Sequence, residues 1–267
     1  MSQQKRSVQG FALAVLSLTA SMGYGDTSTT ALPSAATPSV TATAPSAAKP
    51  LSLSYFNYMN GPTLAAAAGT SINHYLISSV ALGSGWKAGP VLAFDSNFGT
   101  NAPLNTLADS YLRIQYPAIF EAAGRKIHGD IRLGAPLSEA SKAAQIAGTV
   151  VTRLYFEQAI GNLELQYILI PTYYLNTVSA VKQKQVRVAA YLGHSYSILN
   201  QLKLDLGFYP RYTILNKASN TFELLAYPGF TFEFSKVVSL SPYVELSLNN
   251  FQWASTSIGA SVSWTIL

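Results

Sequence analysis

There is no cysteine among the 267 residues, which excludes a disulfide framework, a thiolate metal site and a lipoprotein anchor within this sequence. Charge is scarce as well. Asp, Glu, Lys and Arg make up 11% of the chain, against roughly 25% in an average soluble domain. Yet no apolar run approaches the ~18 residues of a helical span, so a helical membrane protein is excluded. The formal net charge of +5 is spread thinly, without the concentrated stripe that a nucleic-acid partner requires. Histidines number three, and zinc-ligand spacing, a phosphate loop and a nucleophile elbow are all missing. No cofactor, metal or enzymatic activity is expected.

What the chain does contain is strict alternation. From Gln201, Leu202, Leu204, Leu206, Phe208, Pro210, Tyr212 and Ile214 share one face, and Lys203, Asp205, Gly207, Tyr209, Arg211 and Thr213 share the other. Phe222 to Phe234 repeats the pattern. A period of two places the two sets on opposite sides of a pleated strand. These runs exceed the five or six or so residues of a soluble strand and match the roughly 9–11 tilted residues that cross a bilayer. Sixteen tyrosines, twelve phenylalanines and three tryptophans suit interfacial girdles. The expected fold is all-β, a transmembrane antiparallel up-and-down β-barrel. A soluble β-sandwich with an aromatic core is the alternative.

Residues 1–25 have the three parts of a secretory signal peptide: Lys5 and Arg6, the apolar stretch Phe11 to Ala20, and small residues Gly23 and Gly25 before Asp26. Residues 26–50, rich in Ser, Thr, Ala and Pro, cannot bury a core and read as a disordered periplasmic linker. Residues 51–267 form the barrel. Short turns (Gly83 to Gly85, Ala122 to Lys126, Ile160 to Asn162, Leu199 to Gln201, Ser235-Lys236) alternate with longer loops. Five turns and six loops separate about twelve strands, with ten or fourteen as the alternatives: 51–60, 73–82, 86–95, 109–120, 126–136, 148–160, 162–175, 184–198, 201–215, 221–234, 237–248 and 256–266. Prolines 90, 117, 171, 210, 228 and 242 fall inside them and predict bulges or kinks.

These features together resemble the bacterial outer-membrane β-barrel (porin-like) superfamily over roughly residues 51–267. The final strand fits, with Ile258, Ala260, Val262, Trp264 and Ile266 on one face, although the chain closes on Leu267 where such barrels usually close on an aromatic. The resemblance implies an outer-membrane location, lipid and lipopolysaccharide as surroundings, and the barrel-assembly machinery during insertion. Lys142, Lys182, Lys184 and Lys217, in loops, could meet outer-leaflet phosphates.

Alternation assigns an inward-facing set: Arg113; His128, Asp130 and Arg132; Arg153 and Glu157; Glu164; Arg187; Lys203, Asp205 and Arg211; Glu223 and Glu233; Glu245. Charges facing lipid would cost up to about 2–4 kcal/mol each at the midplane, so this face is the lumen. Two functions compete. The groups line a narrow or gated pore for passive diffusion of small polar solutes, or they cross-link and fill a non-conducting barrel that acts structurally or through its surface. An outer-membrane hydrolase is a third reading. It needs Ser and His on one face within reach, but His194 and Ser195 point oppositely, His128 and Asp130 lie near a turn, and His74 has no obvious partner in sequence. Loop one (Gly61 to Ile72) could constrict the lumen, and Leu137 to Ile146 could form a short helix.

Overall fold

The computed structural model describes residues 51–63, 70–98, 103–179, 182–249, 251 and 256–266. The expected signal peptide (1–25), the linker (26–50) and Leu64 to Gly69 of loop one lie outside them. Twelve long strands close into one antiparallel barrel. They are β1 (Leu51–Thr63), β2 (Thr70–Gly83), β3 (Trp86–Phe98), β5 (Tyr111–Ala122), β6 (Arg125–Gly134), β7 (Ile146–Ile160), β8 (Leu163–Asn176), β9 (Lys184–Leu199), β10 (Leu202–Leu215), β11 (Thr221–Glu233), β12 (Val238–Ser247) and β13 (Ser257–Thr265). A three-residue strand, β4 (Asn105–Leu107), adds to the loop end of β3. One helical turn, α1 (Glu139–Ala143), is N-capped by Ser138 within the stretch expected to be helical. No helix of the described residues is long and apolar enough to cross a membrane.

Closure is made by β1 pairing β13, with Tyr55 opposite Trp264 and Tyr58 opposite Ser261. It removes the edges of the twelve-strand wall, so each long strand finds ladder partners on both sides. The turns hold because residues in the left-handed region occupy them: Ser84 between Gly83 and Gly85, and Ala123 before Gly124. The second strand starts at Thr70, three residues earlier than expected, which shortens loop one. The prolines behave more quietly than expected. Only Pro117 sits at a register shift, between Tyr116 and Phe120, whereas Leu206 opposite Pro228 and Pro210 opposite Leu224 stay in continuous register. Pro210 and Pro228 sit on the outward face of their strands, where no bulge is needed to seat the ring.

The faces separate by chemistry. Outward residues such as Leu169, Leu206, Phe230 and Ile258 are 40–51% exposed, and in water such an apolar surface would drive association. A surface of this kind suits hydrocarbon. Inward residues alternate with them and are largely buried, as along β10 and β11.

Candidate functional site: the barrel interior

All fourteen inward candidates lie on the interior parity of their strands, and cross-strand register gathers them into three groups. At mid-height on β5, β6 and β7, Asp130 is fully buried. Arg113 donates to it from Nε (3.0 Å) and Nη2 (2.8 Å). Arg132 donates from Nε at 2.8 Å, and Tyr155 donates its hydroxyl at 2.9 Å. Arg153, opposite Asp130 in the ladder, adds a third guanidinium within electrostatic reach. Arg132 also donates to the Tyr111 hydroxyl at 3.0 Å and lies 4.9 Å from that ring's centre. A carboxylate with this many charge-assisted donors stays ionised and fixed.

A second group sits at the turn end. His128 stacks on Tyr155 (4.6 Å between centres) and pairs with Glu157 at 3.2 Å. It does not join Asp130, two residues away on the same face. Lys203 bridges Glu164 (3.1 Å) and Glu233 (2.9 Å). Asp205 accepts from Ser195 (2.5 Å) and Thr231 (2.6 Å). The third group lies toward the loop end, where Arg211 pairs with Glu223 directly across the ladder. Arg187 lies over the Tyr174 ring (5.8 Å), and Glu245 is buried on β12 within electrostatic reach of Arg211. The turn-end group is more open than the middle. The Glu157, Glu164 and Glu233 side chains are each about a third exposed.

Between the ends runs a belt of tyrosines, of which alternation places Tyr191, Tyr209 and Tyr243 inward without showing that they meet. Tyr58, Tyr75, Tyr111, Tyr191, Tyr209, Tyr227 and Tyr243 come from seven strands and are all buried, Tyr58 and Tyr209 completely. Tyr58 meets Tyr75 edge-on at 6.4 Å, and Tyr227 meets Tyr243 at 6.1 Å. Tyr58, on β1, reaches the field of Arg153 on β7, five strands away around the wall, so the belt spans the lumen. Glycines make room for it. Gly193 and Gly207 are ladder partners, and the Tyr191 ring lies against both; a Cβ on either would stand 2.6–2.7 Å from a ring carbon. A lone inward Tyr looks like any other polar wall residue. What identifies the belt is common height, which requires the register of all twelve strands.

On the outside, His74 has partners after all. Tyr55, Asn57, His74 and Ser96 share the outward face of β1, β2 and β3. The Tyr55 hydroxyl lies 2.5 Å from His74 Nδ1, and Ser96 Oγ lies 3.0 Å from His74 Nε2. The expectation that His74 stands alone is corrected by pairing that brings three strands together. His194 faces outward near the turn end, 3.3 Å from the Tyr167 hydroxyl.

No protein-family model and no curated protein matches the chain. Among solved structures it is similar to the NanC porin (TM-score 0.53, 9% identity, covering 81% of this chain and all of that one). It is also similar to an outer-membrane channel from Pseudomonas putida F1 (TM-score 0.57, 13% identity, 81% of this chain and 95% of that one). At such identity the likeness concerns the fold. What the likeness shows is the fold, a closed antiparallel β-barrel of twelve long strands, and the apolar exterior of this barrel suits a membrane.

Proposed function

We propose that the protein is a narrow pore for passive diffusion of small polar solutes, closed at rest by its tyrosine belt. The observation that carries this reading is a wall of ionisable groups on both sides of the belt. A barrel needing only to be stable could fill its interior with apolar side chains, since buried ion pairs are weak contributors to stability. The mixed signs support weak ion selectivity. A specific observation also favours a second reading, a non-conducting structural or surface-interaction barrel: the belt tyrosines are as buried as a protein core.

Planar-bilayer recording separates the two. Small, flickering events are expected from the native protein, and larger, steadier ones from Tyr58→Ala or Tyr209→Ala, each shown to be folded. Silence from all three at every voltage removes the pore reading. We further infer that residues 1–25 direct export and are cleaved, and that residues 26–50 form a periplasmic spacer before the barrel. Insertion then depends on the barrel-assembly machinery, and loop lysines such as Lys142 contact lipopolysaccharide phosphates.

A further inference from the structure

The outward cluster on β1 to β3 has no place in a permeation pathway, and polar groups facing hydrocarbon are costly unless they serve one another or a function. Five such groups meet here. Ser96 Oγ is 3.0 Å from His74 Nε2. His74 Nδ1 is 2.5 Å from the Tyr55 hydroxyl, to which Asn57 donates at 3.3 Å. Ser96 Oγ donates to Asn105 Oδ1 of β4 at 2.9 Å. The imidazole is stacked on Phe94 (4.4 Å, 15° between planes), which fixes its ring plane. Hydroxyl, imidazole and a third group orienting the imidazole are the parts of an activated nucleophile. Ser96 stands two residues from the loop end of β3, on the lipid side. With the longer loops outermost, as the proposed insertion would leave them, that end faces the outer leaflet, whose lipids carry acyl esters.

We propose that Ser96 and His74 form an ester-hydrolysing site on the lipid face, acting on acyl esters presented by the outer leaflet. Ser96 Oγ adds to the ester carbonyl carbon while its proton passes to His74 Nε2. The tetrahedral intermediate collapses, the C–O bond to the alcohol breaks, and the alcohol leaves with that proton. Water then attacks the acyl-serine, gives a proton to His74, and releases a fatty acid as Ser96 recovers its proton. In this cycle Nδ1 carries the ring's other proton toward the Tyr55 oxygen, so Tyr55 is a positioning residue. Displacing β4 removes Asn105 Oδ1 as the acceptor of the Ser96 proton and leaves His74 Nε2 to take it. Ser96 is only 9% exposed, covered by β4, whose three ladder pairs make it the weakest-held strand. Substrate enters by displacing it.

The test uses the full-length folded barrel in mixed micelles with a diacyl phospholipid, together with a fluorophosphonate probe read by peptide mass spectrometry. The expected result is one adduct, on Ser96, and hydrolysis abolished by Ser96→Ala. His74→Gln should lower the rate roughly 10²–10⁴-fold. Tyr55→Phe should lower kcat with little change in KM and shift the acidic limb of the pH profile, which loss of packing alone would not do. A folded protein with no Ser96 adduct and with hydrolysis no faster than Ser96→Ala overturns the proposal. Bilayer conductance of Ser96→Ala should match the native protein, keeping this outcome independent of the pore.

Discussion

Replacing Asp130 by Asn would remove the one carboxylate that Arg113 and Arg132 both bind, while leaving shape nearly unchanged. The amide keeps one acceptor oxygen but turns an NH2 toward guanidinium donors. Summing the five hydrogen bonds to Asp130 at the ~1.5–3 kcal/mol of charge-assisted bonds would overshoot, because the freed cations regain some solvation. Breaking a buried ion pair by removing one partner costs about 3–5 kcal/mol. The lower figure applies here. The Arg113 side chain is 20% exposed and can turn to water, whereas Arg132, at 7%, cannot. A loss near 3 kcal/mol, at a urea slope of about 1–3 kcal/mol per molar, lowers the unfolding midpoint by about 1–3 M. Tryptophan fluorescence in phospholipid vesicles reads that midpoint. Replacing Arg113, Asp130 and Arg132 together by Met, Leu and Met should recover most of the loss, since it strands no charge. If Asp130→Asn unfolds within about 0.3 M of the native protein at equal slope, the cluster is bathed in water and mid-height closure is refuted.

Three more tests address other walls. Gly207→Val should push the Tyr191 ring off its seat and into the lumen, costing about 1–3 kcal/mol by overpacking and lowering conductance; a variant equal in both would show that the ring does not rest there. Lys203→Met leaves Glu164 and Glu233 facing each other, so the reversal potential in a salt gradient should move toward cation preference, most at low salt. No movement would mean that solutes do not pass this tier. Leu169→Arg, at the middle of β8 and 47% exposed, should cost about 2–4 kcal/mol in lipid, and a value near zero by vesicle unfolding would remove Leu169 from the hydrocarbon.

The strand plan was legible because alternation and turn chemistry are local. Leu202 to Ile214 reads as a strand without reference to its neighbours, and Gly83 to Gly85 and Gly161 mark turns by backbone requirement. The inward parity of residues such as Asp130 and Glu223 was legible for the same reason. What could not be read was which inward residues meet. Asp130 and His128 share a strand and a face, yet the ladder places Asp130 opposite Arg153 and His128 opposite Tyr155. Likewise His74 stood alone until strand pairing set it opposite Asn57 on one side and Phe94 on the other. Contacts between strands depend on register and tilt, and a shift of one residue reverses them. Prolines misled in the opposite direction. Their effect on the ladder depends on which side of the strand lacks a bond, and that is not a property of the residue alone.

The tyrosine belt explains why this interior can be tightly packed and still polar. A phenol ring fills space as an apolar group does, yet its hydroxyl can serve a neighbouring ion, as Tyr111 does for Arg132 and Tyr155 for Asp130. Closure therefore leaves the charged wall paired, without a layer of aliphatic residues that water could not cross. Ring seating on glycine has a second consequence. The Tyr191 ring lies against Gly193 and Gly207, so backbone bounds its movement on that side. On the proposed pore reading, opening the lumen requires rotation of a few rings and not unfolding of a strand, a motion whose barrier is set by aromatic contacts of about 0.5–1.5 kcal/mol per pair beyond area burial. A gate assembled from such contacts would open often and briefly. That is why flickering, not sustained closure, is the signature expected from the native protein.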